Sequence, residues 1–283
     1  MMPTTATTSS SKNNNKNNKN DDAFFSRRST NTNGKSSKKM VRAMASGGET
    51  TERAFDPREY RRKLGKSDQY TRKFLNDPEA KKTMEDEGIG YSMTGLVAQM
   101  KEKNFVHVEG EVTVKLADSY GFCWGVERAV QMCYEARKQY PTEKMWITNE
   151  IIHNPTVNMR LSEMGVNFIE EKGGVKNFEP VQSGEVVVLP AFGASIHEMK
   201  LLAEKGVSIV DTTCPWVSKV WNAVDMHARK EFTSIIHGKY AHEETVATAS
   251  FAKTYLVVKD MKEASWVCDY ILNGTATKEE FME

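Results

Sequence analysis

The segment SIVDTTCPWVSKVW, residues 208–221, joins a short apolar run to a cysteine that is followed at once by proline. The apolar run predicts a β-strand, and Pro215 directly after Cys214 is typical of the first residue of a helix. A second segment, VTVKLADSYGFCWGVERAV at residues 112–130, has the same order of apolar run, Cys123 and helical spacing. Open α/β sheets place their chemistry at such strand-to-helix junctions, so both cysteines are candidate functional residues.

These two segments belong to a longer internal repeat. A valine follows each cysteine by three residues and a basic residue follows it by five, and the two cysteines lie 91 residues apart. His153 in NEIIHNPTV and His242 in SIIHGKYAHEETVA are 89 residues apart, and each follows a predicted strand and a short loop. The repeat predicts two related α/β units that direct one thiol and one imidazole each toward a common place.

The remaining pattern also predicts the α/β class with a mostly parallel sheet. Apolar runs such as WITNEI, VVVLP, TSIIH and TYLVV alternate with stretches of helical spacing. Helix starts are indicated by Asn154-Pro155, by a capping box from Ser195 to Glu198, and by Pro215. We expect the first α/β unit over residues 111–214 and a second unit over residues 215–283.

Composition excludes several classes of function. The formal net charge is +1 and basic residues alternate with acidic ones, so we expect no nucleic-acid partner. No apolar run approaches the roughly 20 residues of a membrane span, so we expect no membrane insertion. The four cysteines contain no CxxC pair, which favours reduced thiols, and we expect Cys133 and Cys268 to be buried in helices.

The amino-terminal part of the chain differs in composition. Residues 1–50 are rich in Ser, Thr and Asn and poor in acidic residues, which is typical of an organelle transit peptide and equally of a disordered tail. Residues 51–110 are densely charged, with RAFDPREYRRKLGKSDQYTRKF at residues 53–74. We expect this extension to form helices that wrap a domain surface without contributing to a core.

The candidate residues point to a metal centre beside an anion site. A thiolate at a helix N-terminus is stabilised by the helix dipole and becomes a better metal ligand or nucleophile. Imidazoles and helix N-termini that converge on one cavity favour a phosphate, and Glu243 or Glu244 could deliver protons there. Zinc sites normally use closely spaced ligand pairs, and an iron–sulfur cluster needs three or four thiolates, so the residues alone leave both open.

Five runs then resemble the plant and cyanobacterial type of 4-hydroxy-3-methylbut-2-enyl diphosphate reductases. They are GFCWGVERAV, ITNEIIHNPTV, LPAFGAS, VDTTCPWVSKVW and IIHGKYAHEETVATASF, and the charged extension FDPREYRRKL is similar as well. The resemblance implies a pseudo-threefold protein whose units each give one cysteine to a [4Fe–4S] cluster. It implies Cys123 and Cys214 as two cluster ligands, His153 and His242 as diphosphate-binding residues, and Glu244 as the catalytic proton donor.

The same resemblance implies reductive dehydroxylation of the substrate to isopentenyl and dimethylallyl diphosphates, with an electron donor such as ferredoxin, in the plastid stroma. Two departures stand out. Phe192 occupies a position where many bacterial members carry histidine, and the family's third cysteine and third unit do not match any part of this sequence. We therefore expect a C-terminally truncated reductase, with a non-catalytic diphosphate-binding protein and a zinc-binding thiol module as alternatives.

Overall fold

The computed structural model describes residues 55–89 and 95–274, so the predicted leader of residues 1–50 lies outside the described part. The helices and strands follow one another along this part of the chain in the following order: α1 Pro57–Leu64, β1 Tyr70–Thr71, α2 Pro78–Asp86, α3 Gly95–Glu102, β2 Val106–Glu109, β3 Val112–Lys115, α4 Trp124–Gln139, β4 Met145–Ile147, α5 Pro155–Glu163, β5 Val166–Phe168, β6 Glu171–Lys172, β7 Val175–Lys176, β8 Val186–Leu189, α6 Ile196–Glu204, β9 Ser208–Asp211, α7 Pro215–Arg229, β10 Ser234–His237, α8 Glu243–Ala249, β11 Tyr255–Val258 and α9 Met261–Asn273.

A five-stranded parallel sheet forms the centre of the fold. Its strand order is β1-β9-β8-β4-β5, and every neighbouring pair is parallel. All four residues of β8 are buried, as expected for a strand that is covered by helices on both faces. The α/β class and the parallel sheet predicted from the alternating apolar runs are therefore confirmed.

The internal repeat is visible as a repeated order of elements. Cys123 is followed along the chain by α4, β4, α5 and β5. Cys214 is followed in the same way by α7, β10, α8 and β11. Within each set the two strands pair in parallel, β4 with β5 and β10 with β11. Each histidine lies in the segment between the first strand and the second helix of its set, as the sequence predicts.

The strand before Cys123 does not join the parallel sheet, contrary to the expectation. β3 pairs antiparallel with β2, and all four of its residues are exposed. Val112 and Val114 alternate with Thr113 and Lys115, which is the period of a strand with two different faces. The strand before Cys214, β9, instead has consecutive buried residues and lies inside the sheet.

The charged extension contributes to the core, so the prediction that it only wraps the surface was wrong. β1 adds an edge strand through the register Tyr70 to Ile209. Leu64 and Tyr70 pack in the cluster that contains Trp221, while Met84 packs in the cluster around α4 and β4. Apolar residues spaced among many charges were sufficient to anchor the extension, because only one face of each short helix needs to be buried.

The two remaining cysteines differ from each other. Cys133 is fully buried, as predicted, and burial raises the pKa of its thiol to about 12. The prediction that Cys268 is buried was wrong, because α9 buries only Val267 among its described side chains and exposes Cys268. Among the helices of the described residues, none has both the length and the apolarity needed to cross a bilayer.

The exposed side of α9 carries several large apolar side chains. Met261, Trp266, Ile271 and Leu272 are all exposed, Leu272 at 78%. The neighbouring β10–β11 sheet has only two strands and exposes Ile235. Apolar surface of this kind normally contacts another protein segment or another molecule.

We expect the purified 283-residue chain to self-associate through this surface. The double substitution Ile271→Lys and Leu272→Lys should shift the sedimentation coefficient toward that of a monomer, because each lysine places a charge on the associating face. Val175→Lys is the matched control, since Val175 is equally exposed but lies on the separate β6–β7 hairpin. A wild-type chain that sediments as a monomer at all concentrations would contradict the prediction.

Candidate functional site

Three loops meet at the carboxyl ends of adjacent strands in the parallel sheet. His153 lies beyond β4, Phe192 beyond β8 and Cys214 beyond β9, and these strands are neighbours in the order β4-β8-β9. The backbone ties the loops together, because Ala191 N–H donates to the Ile151 carbonyl at 3.1 Å and Cys214 N–H donates to the Ala191 carbonyl at 3.0 Å. The loop that carries Cys214 (the thiol loop) and the loop that carries His153 (the imidazole loop) are therefore tied to each other through the backbone of Ala191.

Cys123 and Cys214 occupy equivalent positions at the N-termini of α4 and α7. Each is the N-cap residue of its helix, and neither thiol makes a capping hydrogen bond. A Cβ placed on Gly125 would overlap the Sγ atom of Cys214 and lie 3.3 Å from its Cβ atom. The Cys214 thiol thus rests against the first turn of the helix that Cys123 begins, so the two predicted ligands share one junction.

A buried carboxylate organises the loop that carries Cys214. Asp211 is fully buried, and it accepts hydrogen bonds from the Thr213 N–H at 2.9 Å and from the hydroxyl of Tyr70. Arg72 forms an ion pair with Asp211 at 3.1 Å. Burial, followed by the negative charge of Asp211, raises the pKa of the Tyr70 hydroxyl, so this group stays protonated and donates.

Two arginines reach the cysteine loop from different elements. Arg72 donates to the Thr213 carbonyl at 2.9 Å and to the Ser218 hydroxyl at 2.7 Å. Arg128, five residues after Cys123, donates to the Arg72 carbonyl at 3.0 Å. Burial and the positive charge of Arg72 lower the pKa of Arg128 from its usual range, although a guanidinium remains charged at neutral pH. The sequence indicated Arg128 through the repeat, but nothing in it indicated Arg72.

The thiols fit an incomplete iron–sulfur ligand set better than a zinc site. Within residues 55–89 and 95–274, no group of three or more His, Cys, Asp or Glu ligand atoms lying within 4.8 Å of one another includes either thiol. A structural zinc site requires four such ligands close together. Two helix N-termini and nearby guanidinium groups instead favour the negative charge that thiolates and cluster sulfides carry.

The two predicted histidines are in direct contact. The Nε2 atoms of His153 and His242 lie 3.1 Å apart. The His153 ring stacks on Phe192 with a centroid distance of 4.4 Å, and Phe192 also contacts the edge of His242 at 5.4 Å. The imidazoles from the two repeated units therefore meet beside the aromatic ring that follows β8, as the repeat predicts.

The hydrogen-bond network assigns the proton positions on both rings. Nδ1 of His242 accepts from the Glu244 N–H at 3.2 Å, so the neutral ring carries its proton on Nε2. That proton is donated to Nε2 of His153, whose own proton is therefore on Nδ1 and is donated to the Glu150 carboxylate at 2.9 Å. Glu150 was missed by the sequence interpretation, although its position three residues before His153 is visible in NEIIH.

The two glutamates at the start of α8 have different surroundings. The Glu243 carboxylate accepts a hydrogen bond from Asn149. One of its oxygens lies within 4.8 Å of a ring nitrogen of His153 and of a ring nitrogen of His242. The Glu244 backbone caps against His242, and its partly buried carboxylate has no hydrogen-bond or ion-pair partner within the described part of the chain. Glu244 thus follows His242 by two residues with an unengaged carboxyl within the described residues, and its catalytic role stays a prediction.

His153, His242 and Glu243 could be considered as a cation site, since their ligand atoms lie close together. The proton assignment opposes this interpretation. A metal on Nε2 of His242 would require the ring proton on Nδ1, where it would face the N–H of Glu244. The pair is therefore better suited to an anion than to a metal ion.

We expect Gly125→Ala to lower the free energy of unfolding by about 1–3 kcal/mol, because the new methyl group overlaps the Cys214 thiol. In a Cys214→Ala background the cost should fall to about 1 kcal/mol or less, because the overlap with the sulfur is removed and only the 3.3 Å contact with the Cβ atom of residue 214 remains. Urea denaturation of the four proteins in this double-mutant cycle measures the coupling. Equal effects of Gly125→Ala in both backgrounds would contradict the contact.

We expect Asp211→Ala to lower the free energy of unfolding by about 3 kcal/mol, because it removes the buried partner of Arg72 and Tyr70. Glu163→Ala is the control, since Glu163 also pairs with an arginine, Arg160 at 2.7 Å, but at an exposed position. Its cost should stay below about 1 kcal/mol. Similar urea midpoints for the two variants would show that the Asp211 network does not hold the loop.

Comparison with known proteins identifies the family. The family model described as LytB protein matches residues 114–283. The chain is 58% identical over 230 residues to the 4-hydroxy-3-methylbut-2-enyl diphosphate reductase of Crocosphaera subtropica, covering 81% of this chain and 56% of the relative. It is also 58% identical over 226 residues to the chloroplastic reductase of Botryococcus braunii, covering 80% of this chain and 45% of the relative.

Among solved structures, the reductase from Plasmodium falciparum matches 51% of this chain and 44% of its own length, with 28% identity and a TM-score of 0.47. The chain spans about half the length of the curated relatives that it matches. The family model covers more than half of the chain and includes Cys123, Cys214, His153 and His242. This chain belongs to the LytB protein family.

Proposed function

We propose that this chain forms the part of an iron–sulfur reductase that holds the first two cluster ligands and binds the diphosphate of the substrate. The reaction would be the two-electron reductive dehydroxylation of 4-hydroxy-3-methylbut-2-enyl diphosphate to isopentenyl and dimethylallyl diphosphates. The relatives at 58% identity bear the name of this reductase, which supports the assignment. The observation that carries it furthest is the backbone hydrogen-bonded link between the thiol loop and the imidazole loop.

Cys123 and Cys214 would hold a [4Fe–4S] cluster. A cluster bound there would supply electrons one at a time and act as a Lewis acid toward the substrate oxygen. The protein contributes two helix N-termini and the guanidinium groups of Arg72 and Arg128, which favour the negative charge of the thiolates. Further ligands of the cluster would come from outside the described residues.

The imidazole pair would bind the diphosphate, and Glu244 would deliver the proton. The Nε2–H of His242 faces Nε2 of His153, and an anionic oxygen could replace His153 as its acceptor. Glu244 follows His242 by two residues and has a carboxyl group that is free of other partners within the described residues. A carboxylic acid in that position can protonate a departing hydroxyl so that it leaves as water.

We also propose the plastid stroma as the site of action and a small electron-transfer protein such as ferredoxin as the electron donor. One relative, from Botryococcus braunii, is named as chloroplastic. The acid-poor composition of residues 1–50 supports import into a plastid.

The proposal is tested first by cluster assembly. The 283-residue chain is reconstituted anaerobically with iron and sulfide, with an added dithiol to complete the coordination, and the dithionite-reduced sample is studied by paramagnetic resonance. We expect a stoichiometric cluster that is lost in Cys123→Ser and in Cys214→Ser. Cys268→Ser is the matched control, because this thiol is exposed but lies on α9. Equal cluster content in all four proteins would contradict the ligand assignment.

Turnover of the hydroxylated diphosphate by the same reduced sample tests the reaction. Glu244→Gln should lower the rate by about 10²-fold or more, because it removes the proton donor while keeping the side-chain shape. Glu163→Gln, at an exposed position of α5, should leave the rate unchanged. Binding of the diphosphate without cluster or turnover would instead favour the alternative of a non-catalytic diphosphate-binding protein.

A further inference from the structure

We infer that anion binding at the imidazole pair takes up one proton at Nε2 of His153, and that Glu150 is the positioning residue that makes this uptake favourable. The inference rests on the proposed function in one respect, namely that the anion is a diphosphate. The proton assignment on which it depends belongs to the free protein and can be measured without any ligand.

The free pair has a single arrangement of protons that satisfies all of its contacts. The Glu244 N–H donates a hydrogen bond to Nδ1 of His242, so the ring proton of His242 is on Nε2. The Glu150 carboxylate accepts a hydrogen bond from Nδ1–H of His153, so Nε2 of that ring carries a lone pair and no proton. The two Nε2 atoms then share one proton across 3.1 Å.

This arrangement has only one donor to offer to an arriving anion. The His242 N–H can turn from His153 to a phosphate oxygen without any change in protonation. The lone pair on Nε2 of His153 would then face the same anion and repel it. Addition of one proton from solvent converts His153 into an imidazolium with donors on both nitrogens, and no covalent bond of the ligand is broken.

The surrounding charges increase the need for that proton. Glu150 contacts His153 directly, and Glu243 has an oxygen within 4.8 Å of one ring nitrogen of each imidazole. Glu244 follows Glu243 in the first turn of α8. The third element packed against the ring contributes Phe192, which is uncharged. A diphosphate would therefore approach neutral imidazoles among carboxylates, whereas the imidazolium form presents a positive charge to it.

Glu150 and Phe192 together hold His153 in the required orientation. The Phe192 ring lies 4.4 Å from the imidazole with an interplanar angle of 26°, so the ring plane is set by stacking. Within that plane the Glu150 carboxylate fixes Nδ1 and leaves Nε2 toward His242. The carboxylate also stabilises the imidazolium as an ion pair once the proton has been added.

Nitrogen-15 NMR of the imidazole rings tests the first half of the inference. In the free chain we expect the proton of His153 on Nδ1 and that of His242 on Nε2. Glu150→Gln keeps an oxygen acceptor and should retain this pattern, whereas Glu150→Ala should allow both tautomers of His153. A free wild-type protein with the His153 proton on Nε2 would overturn the inference.

Calorimetric titration with isopentenyl diphosphate tests the second half, at a pH above the last ionisation of the ligand, in two buffers of different ionisation enthalpy. We expect uptake of about one proton per diphosphate bound, because the imidazolium of His153 forms on binding. Glu150→Gln should bind roughly tenfold more weakly, since the imidazolium loses its charged partner. His153→Gln should bind without proton uptake, and Glu163→Gln should match the wild type.

The outcomes separate this inference from the proposed function. Tight binding without proton uptake would overturn the coupling and leave diphosphate binding in place. Failure of every variant and of the wild type to bind the diphosphate would overturn the proposed function together with the coupling, even if the NMR tautomers are as assigned.

Discussion

Asp211 is the constraint on which the arrangement of the site depends. Its carboxylate is fully buried at the end of β9, and a buried charge of this kind is stable only when donors surround it. The N–H and hydroxyl of Thr213 and the hydroxyl of Tyr70 donate hydrogen bonds to it, and the guanidinium groups of Arg72 and Arg61 form ion pairs with it. Tyr70 and both arginines belong to the charged extension, so this extension and the Cys214 loop stabilise each other.

The consequence for the cysteine loop is a rigid presentation of its thiol. Arg72 binds both the Thr213 carbonyl and the Ser218 hydroxyl, which lie on either side of Cys214. The backbone of Cys214 is held by Ala191, and its side chain rests against Gly125. For the proposed role of Cys214 as a cluster ligand, these contacts would orient the sulfur atom before the metal binds.

The same backbone connection joins two kinds of chemistry. Ala191 accepts a hydrogen bond from the Cys214 loop and donates one to Ile151 in the histidine loop, while the next residue, Phe192, stacks on His153. The thiol of Cys214 and the imidazole of His153, the proposed cluster ligand and diphosphate-binding residue, are thereby held at a set separation at the carboxyl edge of one parallel sheet. Such an arrangement suits a substrate that has a reactive group at one end and a diphosphate at the other.

Sequence by itself determined the local features of this protein. Alternating apolar runs predicted the parallel sheet, the repeat predicted the placement of Cys123, Cys214, His153 and His242, and the capping signal at Ser195 was realised as a complete capping box. These features follow from short-range periodicity and from the backbone preferences of single residues, so they are readable before folding.

Tertiary structure alone decided the remainder. The exposed hairpin before Cys123, the exposure of Cys268 and the burial of Tyr70 and Met84 depend on which surfaces are covered by distant segments. The pairing of Arg72 with Asp211 joins residues 139 positions apart, and the proton assignment of the imidazoles depends on Glu150 and on the Glu244 backbone simultaneously. No local pattern encodes such contacts, because charge pairing and ring protonation are set by neighbours in space rather than in sequence.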